Sequence, residues 1–194
     1  MIKKDEAKLC FPEFTRTGYS FESRARSDDF TSAIGRISIH FSQLEKTIRQ
    51  AIEFLLKLNP AFSDMILSDL TFRKKLELLE ILVYHNLKQD YFDTGDKIDP
   101  ERYFNEMFKA IRKCAELRNK IMHSSWPDMY VGDEKKRISK KLKGRKGVKY
   151  EVETMNSAYL LDIDDYIVTI WSEIKEYFEC NVFDSQYLDR ILYE

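Results

Sequence analysis

Eight apolar residues, Phe30, Ile34, Ile37, Phe41, Leu44, Ile48, Ile52 and Leu55, follow one another at steps of three or four without a miss. That spacing places them on one stripe of an α-helix. At roughly 3.6 residues per turn it predicts a long helix with one face that has to be buried. Asp28 or Asp29 stands where an N-cap belongs, and Asn59-Pro60 closes the run. Such a helix needs partners, and the rest of the chain supplies them. Thr71 is placed to cap a second helix, after a short turn, with the stripe Phe72, Leu76, Leu79 and Val83. Pro100 suits the first turn of a third. Its face runs Phe104, Met107, Phe108, Ile111, Cys114, Ala115, Ile121 and Met122, and it has to end before Pro127. A last long helix starts near Asp162, with Ile163, Ile167, Ile170, Ile174 and Tyr177 or Phe178 on its stripe. Six Gly and four Pro in 194 residues are too few for the turns of a β-sandwich. An all-α bundle of four to five helices is expected.

One segment breaks the pattern. Val148, Tyr150 and Val152 alternate with Lys149, Glu151 and Glu153, a period of two that predicts a strand. With the stretch from Arg137 to Leu142 and the Gly144-Arg145-Lys146-Gly147 link, it predicts a β-hairpin over about 135–154, inserted before the last helix. Residues 1–27 read as an irregular arm, 28–180 as the helical domain, and 181–194 as a tail or short helix.

The hairpin is also where the charge lies. From Lys135 to Lys149 nine of fifteen residues are Lys or Arg and none is acidic. Set against the whole-chain net of −1, this +9 leaves −10 on the remainder. A concentrated positive field of this kind suits a polyanion. Lys135, Lys136, Arg137, Lys140, Lys141, Lys143, Arg145, Lys146 and Lys149 are the candidate RNA contacts, expected on the hairpin's exposed face and tip. Tyr130, Tyr150 and Trp126 lie near enough in sequence to stack on bases, although packing accounts better for at least two of them. A lysine-rich edge that only discourages strand pairing is the plainer alternative.

Other classes find little support. No apolar run reaches the roughly 20 residues that span a bilayer, and the start, Met1-Ile2-Lys3-Lys4-Asp5-Glu6, offers no signal-peptide core. A cytoplasmic protein is expected. Cys10, Cys114 and Cys180 are too scattered for a disulfide framework or a zinc knuckle, and the three histidines share no metal-ligand spacing. No metal or cofactor is expected. His40 and His85 read as structural or surface residues.

The remaining candidate is Arg118-Asn119-Lys120-Ile121-Met122-His123. Extending the third helix's stripe from Ile111 and Cys114 carries it through Arg118, so an arginine stands at the edge of, or within, an apolar seam. A charge there is costly unless it is paired or faces a cleft. Asn119 and His123 are four apart and therefore neighbours on a helix face. His123 is the last residue expected in the helix, where the helix dipole favours an imidazolium. A histidine so placed can give up a proton as well as take one.

This trio resembles the Arg-x(4–6)-His motif of the HEPN superfamily of helical, nucleotide-binding domains, which commonly has Asn directly after the Arg. The resemblance extends over residues 28–180, since these domains carry the motif at the end of their third core helix. The start Thr71-Phe72-Arg73-Lys74-Lys75-Leu76 and the strand pair before the last helix are similar to those of short bacterial HEPN-like proteins. It implies a metal-independent endoribonuclease, of the toxin–antitoxin or antiphage kind, acting as a homodimer under an antitoxin or other regulatory protein. His123 would transfer protons and Arg118 would stabilise charge on phosphorus. Asn119 would orient His123 or donate to a phosphate oxygen. The alternatives are a HEPN-fold module that binds RNA, a nucleotide or a protein without cleaving, and a purely structural helical dimer.

Overall fold

A computed structural model describes residues 27–87, 99–126, 130–131, 134–142 and 148–178. Among these, five helices and three strands follow in the order α1 (Ser27–Leu56), α2 (Pro60–Leu67), α3 (Phe72–Leu87), α4 (Pro100–Met122), β1 (Tyr130–Val131), β2 (Glu134–Leu142), β3 (Val148–Asn156) and α5 (Ser157–Phe178). The fold is all-α with an antiparallel hairpin inserted before the last helix. No described helix is long and apolar enough to cross a membrane. Residues 1–26 of the arm and the whole tail fall outside the described residues, and Ser27 belongs to α1.

The caps explain the boundaries. Lys57 adopts a left-handed backbone conformation, with φ of 52°. Its amide donates to the Phe54 carbonyl, and that of Leu58 to Glu53, both at 3.0 Å. This is a Schellman ending, so α1 stops at Leu56, four residues before Pro60. Asn59 then starts a helix where the sequence predicts only a short turn: its Oδ1 accepts from the Ala61 amide at 2.9 Å, and Pro60 takes the first helical position. Thr71 caps α3, and Asp99 caps α4 through the Glu101 amide at 3.1 Å. Asn156 is both the last residue of β3 and the cap of α5, accepting from Tyr159 at 2.9 Å. That cap starts α5 five residues before the expected Asp162.

The described residues fall into two compact units. The first holds 43–112 and 169–178, with α2, α3 and the adjoining parts of α1, α4 and α5. Its core includes Leu44, Ile48, Leu79, Phe104, Phe108 and Ile174, all fully buried. Tyr103, Phe104, Tyr177 and Phe178 add an aromatic cluster with centroids 5.2–5.5 Å apart. Arg49 ties α1 to α2, bonding Glu53 at 2.7 Å and pairing with Asp64.

The second unit holds 27–42 and 113–168. Ala33, Ile37, Cys114, Ile121, Leu160, Ile163 and Ile167 are fully buried in it. Its sheet has the order β1-β2-β3, antiparallel throughout. The register pairs Arg137 with Glu153 and Ile138 with Val152. The two-residue β1, pairing with the start of β2, is an addition to the expected hairpin. Ser125 exchanges both backbone bonds with Ile138 at 2.9 Å, which fastens the chain leaving α4 to the sheet.

Candidate functional site

The seam on α4 runs through Leu117, 3% exposed, between Cys114 and Ile121. Arg118 flanks it half-buried. The guanidinium carbon lies 5.4 Å from the centroid of the Phe41 ring on α1, a cation–π contact. One terminal nitrogen donates to Oδ1 of Asn119 at 3.0 Å. The Nε donor is buried and has no acceptor among the described residues. Arg118 thus sits at the edge of an apolar seam, the first of the two placements its spacing allows.

Asn119 is exposed, and its carbonyl oxygen is occupied by Arg118 rather than by histidine. Its amide nitrogen remains the group that can donate. His123 lies one residue beyond the end of α4, although its amide still reaches back to the Asn119 carbonyl at 3.1 Å. Its side chain is exposed and makes no hydrogen bond among the described residues. The structure therefore joins Arg118 to Asn119, and no side chain among the described residues holds the imidazole.

The backbone beneath that imidazole is held firmly. A helix end leaves its last carbonyls without partners, and here three groups supply them. Arg137 Nε donates to the Lys120 carbonyl at 2.9 Å and to Ser124 Oγ at 2.7 Å. Ser124 Oγ donates to the same Lys120 carbonyl at 2.6 Å. Trp126 Nε1 donates to the Ile121 carbonyl at 3.2 Å while its ring packs edge-on against Phe30 at 5.1 Å. The end of α4 is thereby tied to β2 and to α1.

This corrects the expectation for the basic run. Arg137, counted among the exposed RNA contacts, is 8% exposed and also bonds Glu153 at 2.7 Å. Its guanidinium fork fits the carbonyl, hydroxyl and carboxylate gathered at the helix end. Met155, on the same face of the sheet, is also buried, whereas Tyr150 and Val152 on the opposite face are 57% and 60% exposed. Lys149 is exposed and pairs with Glu151 at 3.4 Å, and Lys136 is partly exposed. The side chains of Lys135, Lys140 and Lys141, and residues 143–147 with Lys143, Arg145 and Lys146, lie outside the described residues. Trp126 is a packing residue, Tyr150 is open to solvent, and the Tyr130 side chain is outside the described set.

Sequence reasoning missed the partners that fix this corner. Lys120, read only as part of the motif, bonds Glu153 at 2.9 Å and lies 5.6 Å from the Tyr159 ring centroid. It also missed that His40 on α1 meets a buried acid on α5. A clue to that acid was Asp164 standing beside Ile163 on the buried stripe. Burial pushes the Cys114 thiol well above its usual range, so it is an inert core residue. Among the described residues no group of three or more His, Cys, Asp or Glu could hold a metal ion. The chain matches no protein-family model, no curated protein and no solved structure.

Proposed function

We propose that the chain is an endoribonuclease of HEPN type that cleaves RNA without a metal ion, through Arg118, Asn119 and His123. One arrangement carries this reading: a guanidinium clamped between Phe41 and Asn119, with an exposed imidazole at the end of the same helix. A buried donor left without an acceptor costs about 1–3 kcal/mol. An arginine held under that cost is better explained by a ligand than by stability.

The chemistry suits these groups. The ribose 2′-oxygen attacks the adjacent phosphorus, so that an O2′–P bond forms and the P–O5′ bond breaks. The products are a 2′,3′-cyclic phosphate and a 5′-hydroxyl. One proton leaves O2′ and another reaches O5′. His123 transfers one of them, and the same histidine of a second copy, facing it across a two-fold dimer, transfers the other. Arg118 neutralises charge gathering on the phosphoryl oxygens, and the free amide of Asn119 donates to one of them. The basic run, outside its buried Arg137, holds the RNA strand. Activity of this kind belongs in the cytoplasm and requires a regulator, such as an antitoxin, in a toxin–antitoxin or antiphage setting.

A second reading keeps the fold and the binding but not the cleavage. It is favoured by the absence, among the described residues, of any side chain that orients the His123 ring. The test is incubation of the purified protein with total tRNA in EDTA, followed by end-group analysis. Cyclic phosphate ends support the first reading. Intact, bound RNA supports the second.

A further inference from the structure

Helix α1 runs unbroken from Ser27 to Leu56, and Phe30, Ile37, Phe41, Leu44 and Ile48 are buried on one of its faces. On the opposite face Ser32, Gly35, Ile39, Ser42 and Lys46 recur at steps of three and four, all of them exposed. Ile39 is 60% exposed. A single exposed isoleucine needs no explanation. Its neighbour one turn back does. Glycine inside a helix destabilises it relative to alanine, yet a Cβ built on Gly35 meets nothing within 4 Å. No neighbour within the chain therefore requires the missing side chain, whereas close approach of another molecule would. Ser42 suits the same purpose. Its hydroxyl donates to the Ser38 carbonyl at 2.9 Å, so it can be covered without stranding a donor.

The face is complementary to itself. Two antiparallel copies of one helix, related by a two-fold axis, place residues on either side of that axis opposite one another. With the axis passing beside Ile37, Gly35 lies opposite the partner's Ile39 and Ser32 opposite the partner's Ser42. Asp28, one turn before Ser32 in sequence, falls opposite the partner's Lys46. A knob meets a hole, small meets small, and acid meets base, each twice by symmetry. Sliding the pair by one turn loses the glycine–isoleucine and acid–base matches together. A parallel pair would set lysine against lysine. The small residues near the axis also let the two helices reach the close end of the usual range of about 8–10 Å between axes.

We propose that this outer face of α1 is a dimer interface, taken by the same face of a second copy of this chain in antiparallel register, with the partner's Ile39 seated over Gly35. It stands apart from the proposed cleavage, which calls for two copies without saying which surface joins them.

Sedimentation equilibrium of the full chain over a wide concentration range, with a circular-dichroism melt of each variant, tests it. The wild type is expected to dimerise reversibly. Gly35→Ile fills the hole and should weaken association about tenfold or more, as overpacking does. Ile39→Gly removes the knob and should weaken it to a similar degree. Both positions face solvent within one chain, so the melts are expected to show that the variants fold, with Ile39→Ala in place of Ile39→Gly if that one does not. The double variant Gly35→Ile/Ile39→Gly exchanges knob and hole and should restore dimerisation to within a few-fold of wild type. A face that binds some other protein gives no such rescue. A wild type that stays monomeric at every concentration would overturn the proposal. So would a dimer that folded Gly35→Ile leaves unchanged, or two weakened single variants that their combination does not repair.

Discussion

Arg118 and Cys114 are one helical turn apart on α4 and illustrate how little a residue's type says until its surroundings are known. The spacing of the stripe brought attention to Arg118, because a charge in step with Ile111 and Cys114 has to be explained. It did not reveal that Leu117 takes the centre of the seam, or that Phe41 lies beneath the guanidinium, since a contact across 77 residues leaves no local trace. Arg118→Met keeps the packing over Phe41 and removes the unsatisfied Nε. It is expected to raise stability by about 1 kcal/mol in urea unfolding while abolishing RNA cleavage. Arg118→Ala loses the packing as well and should be less stable than the Met variant. Cys114, with its thiol raised by burial, is expected to resist iodoacetamide at pH 8 in the folded protein and to react once urea unfolds it. Mass spectrometry of its peptide reports both. Prompt alkylation of the native protein would contradict the described core.

Helix ends decided where the elements were legible. Long stripes were plain: Ile37, Phe41, Leu44, Ile48 and Ile52 are all buried as their period implied. Helix α2 was not, because eight residues carry too little periodicity and three of its apolar side chains, Phe62, Met65 and Ile66, are 51–73% exposed. Its signal is the cap, Asn59 followed by Pro60, a pair that equally marks the end of the preceding helix. Lys57 occupies the left-handed position that glycine fills most easily. Lys57→Gly should therefore stabilise the protein, by about 0.5–1 kcal/mol once the greater freedom of glycine in the unfolded chain is deducted. A lower midpoint in thermal or urea unfolding would show that the α1 ending is not as described. At the end of α4 the prediction has the opposite sign. Arg137→Gln removes charge-assisted bonds to the Lys120 carbonyl and Glu153, each worth about 1.5–3 kcal/mol. It should loosen the turn at His123, visible as faster amide exchange at residues 123–125.

At the scale of the whole molecule the sequence made the order of helices, the inserted hairpin and the uneven charge readable. It could not show how the charge is used, because the pairing of Arg137 with Glu153 depends on strand register and on the helix lying against that face. The basic run therefore divides into the buried Arg137, which holds the end of α4, and the remaining cations, which the proposed function assigns to RNA. Replacing Lys140, Lys141, Lys143, Arg145 and Lys146 by Gln should weaken RNA binding and shrink the log–log salt slope, by about 0.7 per lost phosphate contact on a single strand, with the helical content unchanged. An unaltered slope would reduce the run to a solvated edge. The proposed division of labour between two histidines also requires two copies, and light scattering that finds a fully active monomer would end that part of the account. The proposed mechanism has His123 move a proton while Arg118 and the basic run hold the RNA. Its most direct measurement compares wild type with His123→Ala in paired binding and single-turnover cleavage assays in EDTA. Near-normal RNA affinity with cleavage slowed about 10²–10⁴-fold is the predicted result. Cleavage that continues at the wild-type rate in the variant, or cleavage by the wild type that stops in EDTA, would contradict it.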